Sequence, residues 1–411
     1  MCRMARADAD VVVIGGGIAG ASAAFHLAAH GRRVTLLERG EIASGASGVN
    51  AGQIESIGWG HAPDLQAHLT AGSVELFQHV QLDHGLDIEF RQSGGIQAIP
   101  TAEHADFVRD RVAALRAQGY EVELLDIREA RSLEPELHPS LLGAMYSERR
   151  AQADPVLTTR AFAQLAERHG ARILTGHEVT AIDPRPAGGF TIRSAHQELV
   201  AGDLVLAAGA WCSLLGAMLD LEIPVVPVRG QMWATAPLPP CVFQTMASAE
   251  SALAWQRERS NTPGERADGE PPDLTHRKGA RTTRHLYGRQ RRNGELIFGG
   301  DRQLAGWDTT VDPHGIVVNR GHVTEVLPFL ATVPPARTWA GVMPFTLDGK
   351  PLIGQIPGRD GLWIVTGMAS SGFGRGPMAG KLLADALLSG SPSPVLAEAD
   401  PARCVREAVR R

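Results

Sequence analysis

The stretch Val11–Gly20 reads VVVIGGGIAG, and it restricts the fold more than any other part of the chain. Val11–Ile14 is a short, wholly apolar run, the pattern of a strand buried on both faces. Gly15, Gly17 and Gly20 fit G-x-G-x-x-G. The first glycine permits a tight turn out of the strand. The second has no Cβ, so a pyrophosphate can reach the backbone. The third lets the helix pack close to the strand, and the free N–H groups at the helix start face the phosphates. Ile18 to His30 reads as that helix, ending at Gly31, and Arg33–Glu38 (RVTLLE) reads as a second strand. Together they form one βαβ unit, which predicts an α/β fold that holds a dinucleotide. Glu38 ends the second strand. A carboxylate there accepts hydrogen bonds from a ribose 2′-hydroxyl and repels a 2′-phosphate, so NADP is disfavoured.

The other 390-odd residues are too many for one small core, and a length of 411 predicts two or three domains. Apolar residues make up 44% and charged residues 21%, as in an ordinary soluble globular protein. The formal net charge of −5 shows neither a basic patch for nucleic acid nor an acidic tail. Cys2, Cys212, Cys241 and Cys404 are far apart and form no CxxC pattern. That argues against a disulfide framework or a zinc site, and no metal is expected. The opening MCRMARADAD has no apolar core of a secretory signal, and no run of 18 apolar residues occurs, so a cytoplasmic location is expected.

Gly40 to Gly60 reads as a Gly/Ser/Asn-rich loop, 62–83 and 102–118 as helices, and Asp87–Ile99 as two strands around a Gly-Gly turn. Further β-rich stretches are 224–235, 284–300 and 336–366, and Pro377–Ser389 reads as the last helix. Residues 257–284 are dense in Arg, Glu, Pro and Gly, and read as an exposed insertion.

The opening DVVVIGGGIAGASAAFHLAAHGRRVTLLERG resembles that of FAD-dependent enzymes of the glutathione-reductase type. GDLVLAAGAWC (Gly202–Cys212), WAGVMPFTLDGKPLIG (Trp339–Gly354) and GLWIVTGMASSGFGRGPMAGKLLADAL (Gly361–Leu387) extend the match, as does ASGVNAGQI (Ala46–Ile54). Taken together, these stretches resemble the D-amino-acid oxidase superfamily over nearly the whole chain, least between 240 and 284. The resemblance implies a Rossmann-type FAD domain, discontinuous over 1–85, 150–222 and 335–411. It also implies a second domain, a mixed β-sheet with helices, over 86–149 and 223–334. It implies FAD contacts from Ile14, Gly15, Gly17, Ile18, Ala19, Gly20, Glu38 and Arg39 around the first turn. The next loop would contribute Ala46, Ser47, Asn50, Ala51, Gly52 and Gln53. Val179, Ala208, Gly209, Trp211, Gly341 and Met343 would follow, then Gly372, Phe373, Gly374 and Arg375.

Hydride transfer leaves negative charge on a flavin, around N1 and the C2 carbonyl. The SSGFGRGP turn, with Pro377 suited to a helix's first turn, predicts backbone N–H groups and a positive helix end at that charge. Relatives with covalent flavin carry a Cys shortly before the stretch matching PFTLDGKPLIG. This chain has Trp339 to Met343 there, so FAD is expected to be non-covalent. The glycine-oxidase branch has GLRP where this chain has GVMP, so the position of its carboxylate-binding Arg is Met343. A buried carboxylate without a cation costs several kcal/mol, roughly, so another cation must replace it or the substrate lacks a carboxylate there. Arg375 is the leading substitute and Arg289 the second, with the Tyr287 hydroxyl on the same strand face.

The reading that results is oxidation of the C–N bond of an amino acid or secondary amine: a D-amino acid, glycine derivative, proline or opine. Oxygen, a quinone or an electron-transfer partner would accept the electrons, and the chain could act as a homo- or hetero-oligomer. The alternatives are a 2-hydroxy-acid dehydrogenase and a flavin-binding accessory subunit without turnover. Loss of the family Arg at Met343 favours the last.

Overall fold

The computed structural model describes residues 7–55, 57, 62–260, 269–271, 274, 276, 277, 280, 281 and 284–408. Val11 and Val13 belong to one buried cluster and Val12 and Ile14 to another, on opposite faces of the first strand, Ala9–Ile14. That strand therefore sits inside a sheet covered on both sides, as its unbroken apolar run requires. It pairs in parallel with Val34–Leu37 and with Glu198–Leu206. The sheet runs Leu352–Gln355, Leu362–Thr366, Glu198–Leu206, Ala9–Ile14, Val34–Leu37, Arg172–Leu174. Phe190–Ser194 and Val179–Pro184 extend it as an antiparallel ribbon from Glu198–Leu206. Helix Ile18–Ala29 packs over one face, against helices Pro155–Arg168 and Gly372–Ser389.

A second, mostly antiparallel sheet carries the order Arg337–Thr346, Val225–Ala234, Leu296–Gly299, Tyr287–Gln290, Thr245–Ser248, Gly95–Ile99, Gly143–Ser147, Val122–Leu125. Its first strand, Arg337–Thr346, was expected with the cofactor part. It pairs along ten residues with Val225–Ala234, in the second sheet. Of the two strands expected in Asp87–Ile99, only Gly95–Ile99 forms. Arg91 instead makes an isolated bridge to Gln152.

The last helix starts at Gly372, before Pro377, which lies inside it. The proline removes one intrahelical donor. Tertiary partners absorb the break: the Met378 N–H donates to Ser73 Oγ at 3.1 Å, and the Pro377 carbonyl accepts from Ser22 Oγ at 2.7 Å. The insertion expected over 257–284 lies mostly outside the described residues. Of its described parts, Arg257–Ser260 completes helix Ala249–Ser260, and Leu274, 5% exposed, is buried with Val228 and Phe345. Among the described residues, no helix is long and apolar enough to cross a membrane.

Candidate active site

At the end of the first strand Gly15 has φ +117°, and a Cβ there would lie 2.5 Å from the Ala207 carbonyl oxygen. Gly17 precedes helix Ile18–Ala29, and the nearest atom to a Cβ on it is Ser47 Oγ at 3.0 Å. A side chain at either position would fill the cradle. Ser47 Oγ accepts from the Ile18 N–H at 2.9 Å, and the Glu38 carboxylate accepts from the N–H groups of Gly16 (2.7 Å) and Gly40 (2.8 Å). Glu38 thus stands beside the glycine-rich turn. The Arg39 guanidinium stacks 3.9 Å from the Trp211 ring. Ala208 and Gly209 follow the neighbouring parallel strand, so they meet the same crevice at the strands' carboxyl ends. Val179 is buried in the cluster behind that sheet.

From the turn, loop 46–53 leads into a cavity of about 840 Å³ over the second sheet, with the start of helix Gly372–Ser389 in its wall. Asn50 fastens the loop: Nδ2 donates to the carbonyls of Ala46 and Ser47, and Oδ1 accepts from the Gly52 N–H. Gln53 Nε2 ties it to the second sheet through the carbonyls of Met246 and Gly288. Strand Arg337–Thr346 passes so close that a Cβ on Gly341 would enter the Val49 side chain, and Trp339 Nε1 donates to the Val49 carbonyl at 2.8 Å. Of the sequence candidates, Ala46, Asn50, Gln53, Gly341, Met343, Tyr287, Phe373, Gly374 and Arg375 line this cavity. Gly372 begins the helix whose first turn lies in the wall, so its early N–H groups face the same space. The glycine-rich turn, the carboxylate beside it and the long cavity beyond fit an FAD.

Arg289 does not line the cavity. Its Nε donates to the Ala51 carbonyl, Nη1 to Gln152 Oε1 at 3.1 Å and Nη2 to the Ala153 carbonyl at 2.9 Å. It is a buried tie behind loop 46–53, which corrects its expected place at the substrate: strand alternation set its face but not its depth. Tyr287 does face the cavity, and burial pushes its hydroxyl pKa up to about 12, so it remains a hydrogen-bond donor. Burial pulls Arg375 down to about 9, against the Glu55 carboxylate, which favours its charged form; it stays cationic at neutral pH.

Residues with no part in the sequence reading complete the wall: Arg302, His285, Arg150 and Glu55. Arg302, 2% exposed, donates from Nη2 to Ser370 Oγ at 2.7 Å and lies 6.0 Å from the Phe345 ring. Its backbone lies near that of Met343: Gln303 bridges to Arg229, while Met343 pairs with Val228 on the other edge of the same strand. A Cβ on Gly230 would lie 2.8 Å from Met343 Cε and 3.4 Å from the carbonyl of Asp301, the residue before Arg302. The His285 ring stacks near-parallel on Tyr287, with centroids 6.4 Å apart. Burial, then the charge of Arg302, holds the His285 imidazole well below its ordinary pKa, so it is neutral. A signal for Arg302 was present, an arginine shortly after the apolar strand LIFG, past Gly300 and Asp301.

The family described as DAO, FAD dependent oxidoreductase, matches residues 10–386. Glycine oxidase from Pseudomonas aeruginosa is 30% identical over 394 residues, covering 92% of this chain and 94% of that protein. Mitochondrial dimethylglycine dehydrogenase from Mus musculus is 26% identical over 424 residues, 96% of this chain and 44% of that protein. The crystal structure of glycine oxidase from Geobacillus kaustophilus matches with a TM-score of 0.82 and 25% identity, over 97% of this chain and all (100%) of that one. L-proline dehydrogenase from P.horikoshii matches with a TM-score of 0.81 and 25% identity, over 96% and 97%.

Proposed function

We propose that this chain, which belongs to the DAO family of FAD dependent oxidoreductases and acts on amino acids or amines, holds its substrate's carboxylate with Arg302. The observation that carries the reading is the buried Arg302, in the cavity whose wall also holds Met343 and Tyr287. Bound FAD supplies the acceptor for a hydride from the carbon that bears the nitrogen. The residues of the chain bind and orient. Arg302 and the Tyr287 hydroxyl receive and orient the carboxylate. His285, held neutral, adds no positive charge beside Arg302. The first turn of helix Gly372–Ser389, with Arg375, faces the negative charge that reduction leaves on the cofactor.

FAD is non-covalent in this reading. Among the described residues no cysteine lines the cavity, and burial pushes the Cys212 thiol up to about 12, far from a reactive thiolate. Acid denaturation should release all the yellow colour into the supernatant; colour retained in the precipitate would reject this. The deciding experiment is anaerobic bleaching of the bound flavin. Amines that carry a carboxylate should bleach it, and the matching 2-hydroxy acids and decarboxylated amines should not. Equal bleaching by a decarboxylated amine would overturn the role of Arg302.

Glu38 is proposed to hold the adenosine ribose. A charge-assisted hydrogen bond is worth about 1.5–3 kcal/mol. Glu38→Ala should therefore weaken FAD binding about ten- to a hundredfold, read by titrating the apoprotein. Unchanged affinity would leave Glu38 with only its bonds to Gly16 and Gly40.

A further inference from the structure

A second buried guanidinium lies in the wall of the same cavity. Arg150 is 5% exposed and precedes the short strand Ala151–Gln152. Its side chain passes through space left by Gly95, where a Cβ would enter Arg150 Cδ. Arg150 Nη2 lies 2.7 Å from Glu55 Oε2. Its Nε and Nη1 are buried and have no hydrogen-bond partner among the described residues. Native proteins rarely bury such donors unserved, and those that do usually serve them with a ligand or a water.

Glu55 cannot neutralise this wall alone, because it also faces Arg375. One carboxylate shared by two guanidinium groups leaves a net positive charge. Over the whole cavity the cations are Arg111, Arg150, Arg302 and Arg375, and the carboxylates are Glu55, Asp110 and Asp301. Asp301 already accepts from Gln231 Nε2 and Gln303 Nε2, and Asp110 lies exposed at the rim. The Arg150 end therefore suits an anion rather than an ammonium.

Arg302 follows strand Leu296–Gly299, and Arg150 packs at strand Gly95–Ile99, three steps away in the second sheet. At about 4.8 Å per step the backbones stand roughly 14 Å apart. Two long side chains lining one cavity shorten that gap to the reach of a short carbon chain. We propose that Arg150 receives a second acid group, so that the substrate is an amine with two carboxylates, such as an acidic amino acid or an N-carboxyalkyl amino acid. This rests on the reading that Arg302 holds the first carboxylate.

The test uses the FAD-loaded enzyme and non-reacting probes. Perturbation of the flavin spectrum is titrated with succinate and glutarate, and with acetate and propionate. The dicarboxylates should bind at least about tenfold more tightly. Arg150→Met should collapse that ratio about tenfold or more, and Arg150→Lys should keep part of it. A wild-type ratio near one, or a ratio unchanged in Arg150→Met, overturns the proposal. If Arg150→Met does not load FAD, the wild-type ratio and Arg150→Lys decide. Arg302→Met distinguishes the underlying reading: it should weaken acetate as well as succinate. Acetate binding unaffected by Arg302→Met, with a ratio that still depends on Arg150, would reject the role of Arg302 and keep that of Arg150.

Discussion

Arg302→Met lowers kcat/KM for a carboxylated amine by about two to three powers of ten, while FAD content stays near wild type. The size follows from leaving a buried carboxylate unmet, which costs about 3–5 kcal/mol, at about 1.36 kcal/mol per factor of ten. Adding Met343→Arg to that variant should restore part of the loss. The two side chains share one region: Met343 pairs across the sheet with Val228, and its Cε lies beside Gly230 and the Asp301 carbonyl. A guanidinium grown from position 343 would thus reach much of the space vacated by Arg302. Arg289→Met serves as the contrast. Its donors hold the carbonyls of Ala51 and Ala153, so removing them should lower the melting temperature and FAD content together. An Arg302→Met enzyme with wild-type kinetics on a carboxylated amine would reject the assignment and return attention to Arg375.

Local features were legible because their physics is local. The strand Ala9–Ile14, the turn at Gly15 and Gly17 and the carboxylate of Glu38 lie within one short βαβ unit, and each residue type has a reason at its own position. The substrate cations were harder. Arg289 and Tyr287 alternate onto one strand face as expected, but only the packing of loop 46–53 over that strand turns Arg289 into a tie. Arg302 comes to Met343 through pairing between strands far apart in sequence, Val225–Ala234 with both Leu296–Gly299 and Arg337–Thr346. Nothing in a single sequence displays that register. The start of the last helix was misplaced for a related reason. Proline favours a first turn, but Ser22 and Ser73, remote in sequence, supply the partners that let Pro377 sit further in. The missing Arg at position 343 had favoured a subunit without turnover; the proposed role of Arg302, a cation in the same cavity, would remove that reason.

The other large effect falls on the cofactor end: Gly20→Val should cut FAD affinity about a hundredfold or more. A Cβ at position 20 would run into the Gly15 carbonyl oxygen, and it would lie 3.0 Å from Ala207 Cβ. The helix cannot retreat to make room. On its far side Gly380 already approaches so closely that a Cβ there would meet the Ala19 carbonyl, and a Cβ on Gly376 would lie 2.5 Å from Ile18 Cγ2. The turn must therefore yield, and Gly15, at φ +117° against the Ala207 carbonyl, loses the geometry that opens the backbone to a pyrophosphate. Overpacking of this kind costs about 1–3 kcal/mol, occasionally more, and here most of it is concentrated on the binding turn. Gly31→Ala is the matched control. Gly31 also has a positive φ, +80°, but a Cβ there meets nothing within 4 Å. It should cost about 1–2 kcal/mol of backbone strain and leave FAD binding intact. Both variants are read by FAD content after purification and by titration of the apoprotein. If Gly20→Val loads FAD like the wild type, or if Gly31→Ala loses FAD to the same degree, close helix–strand packing at Gly20 is not what shapes the phosphate turn.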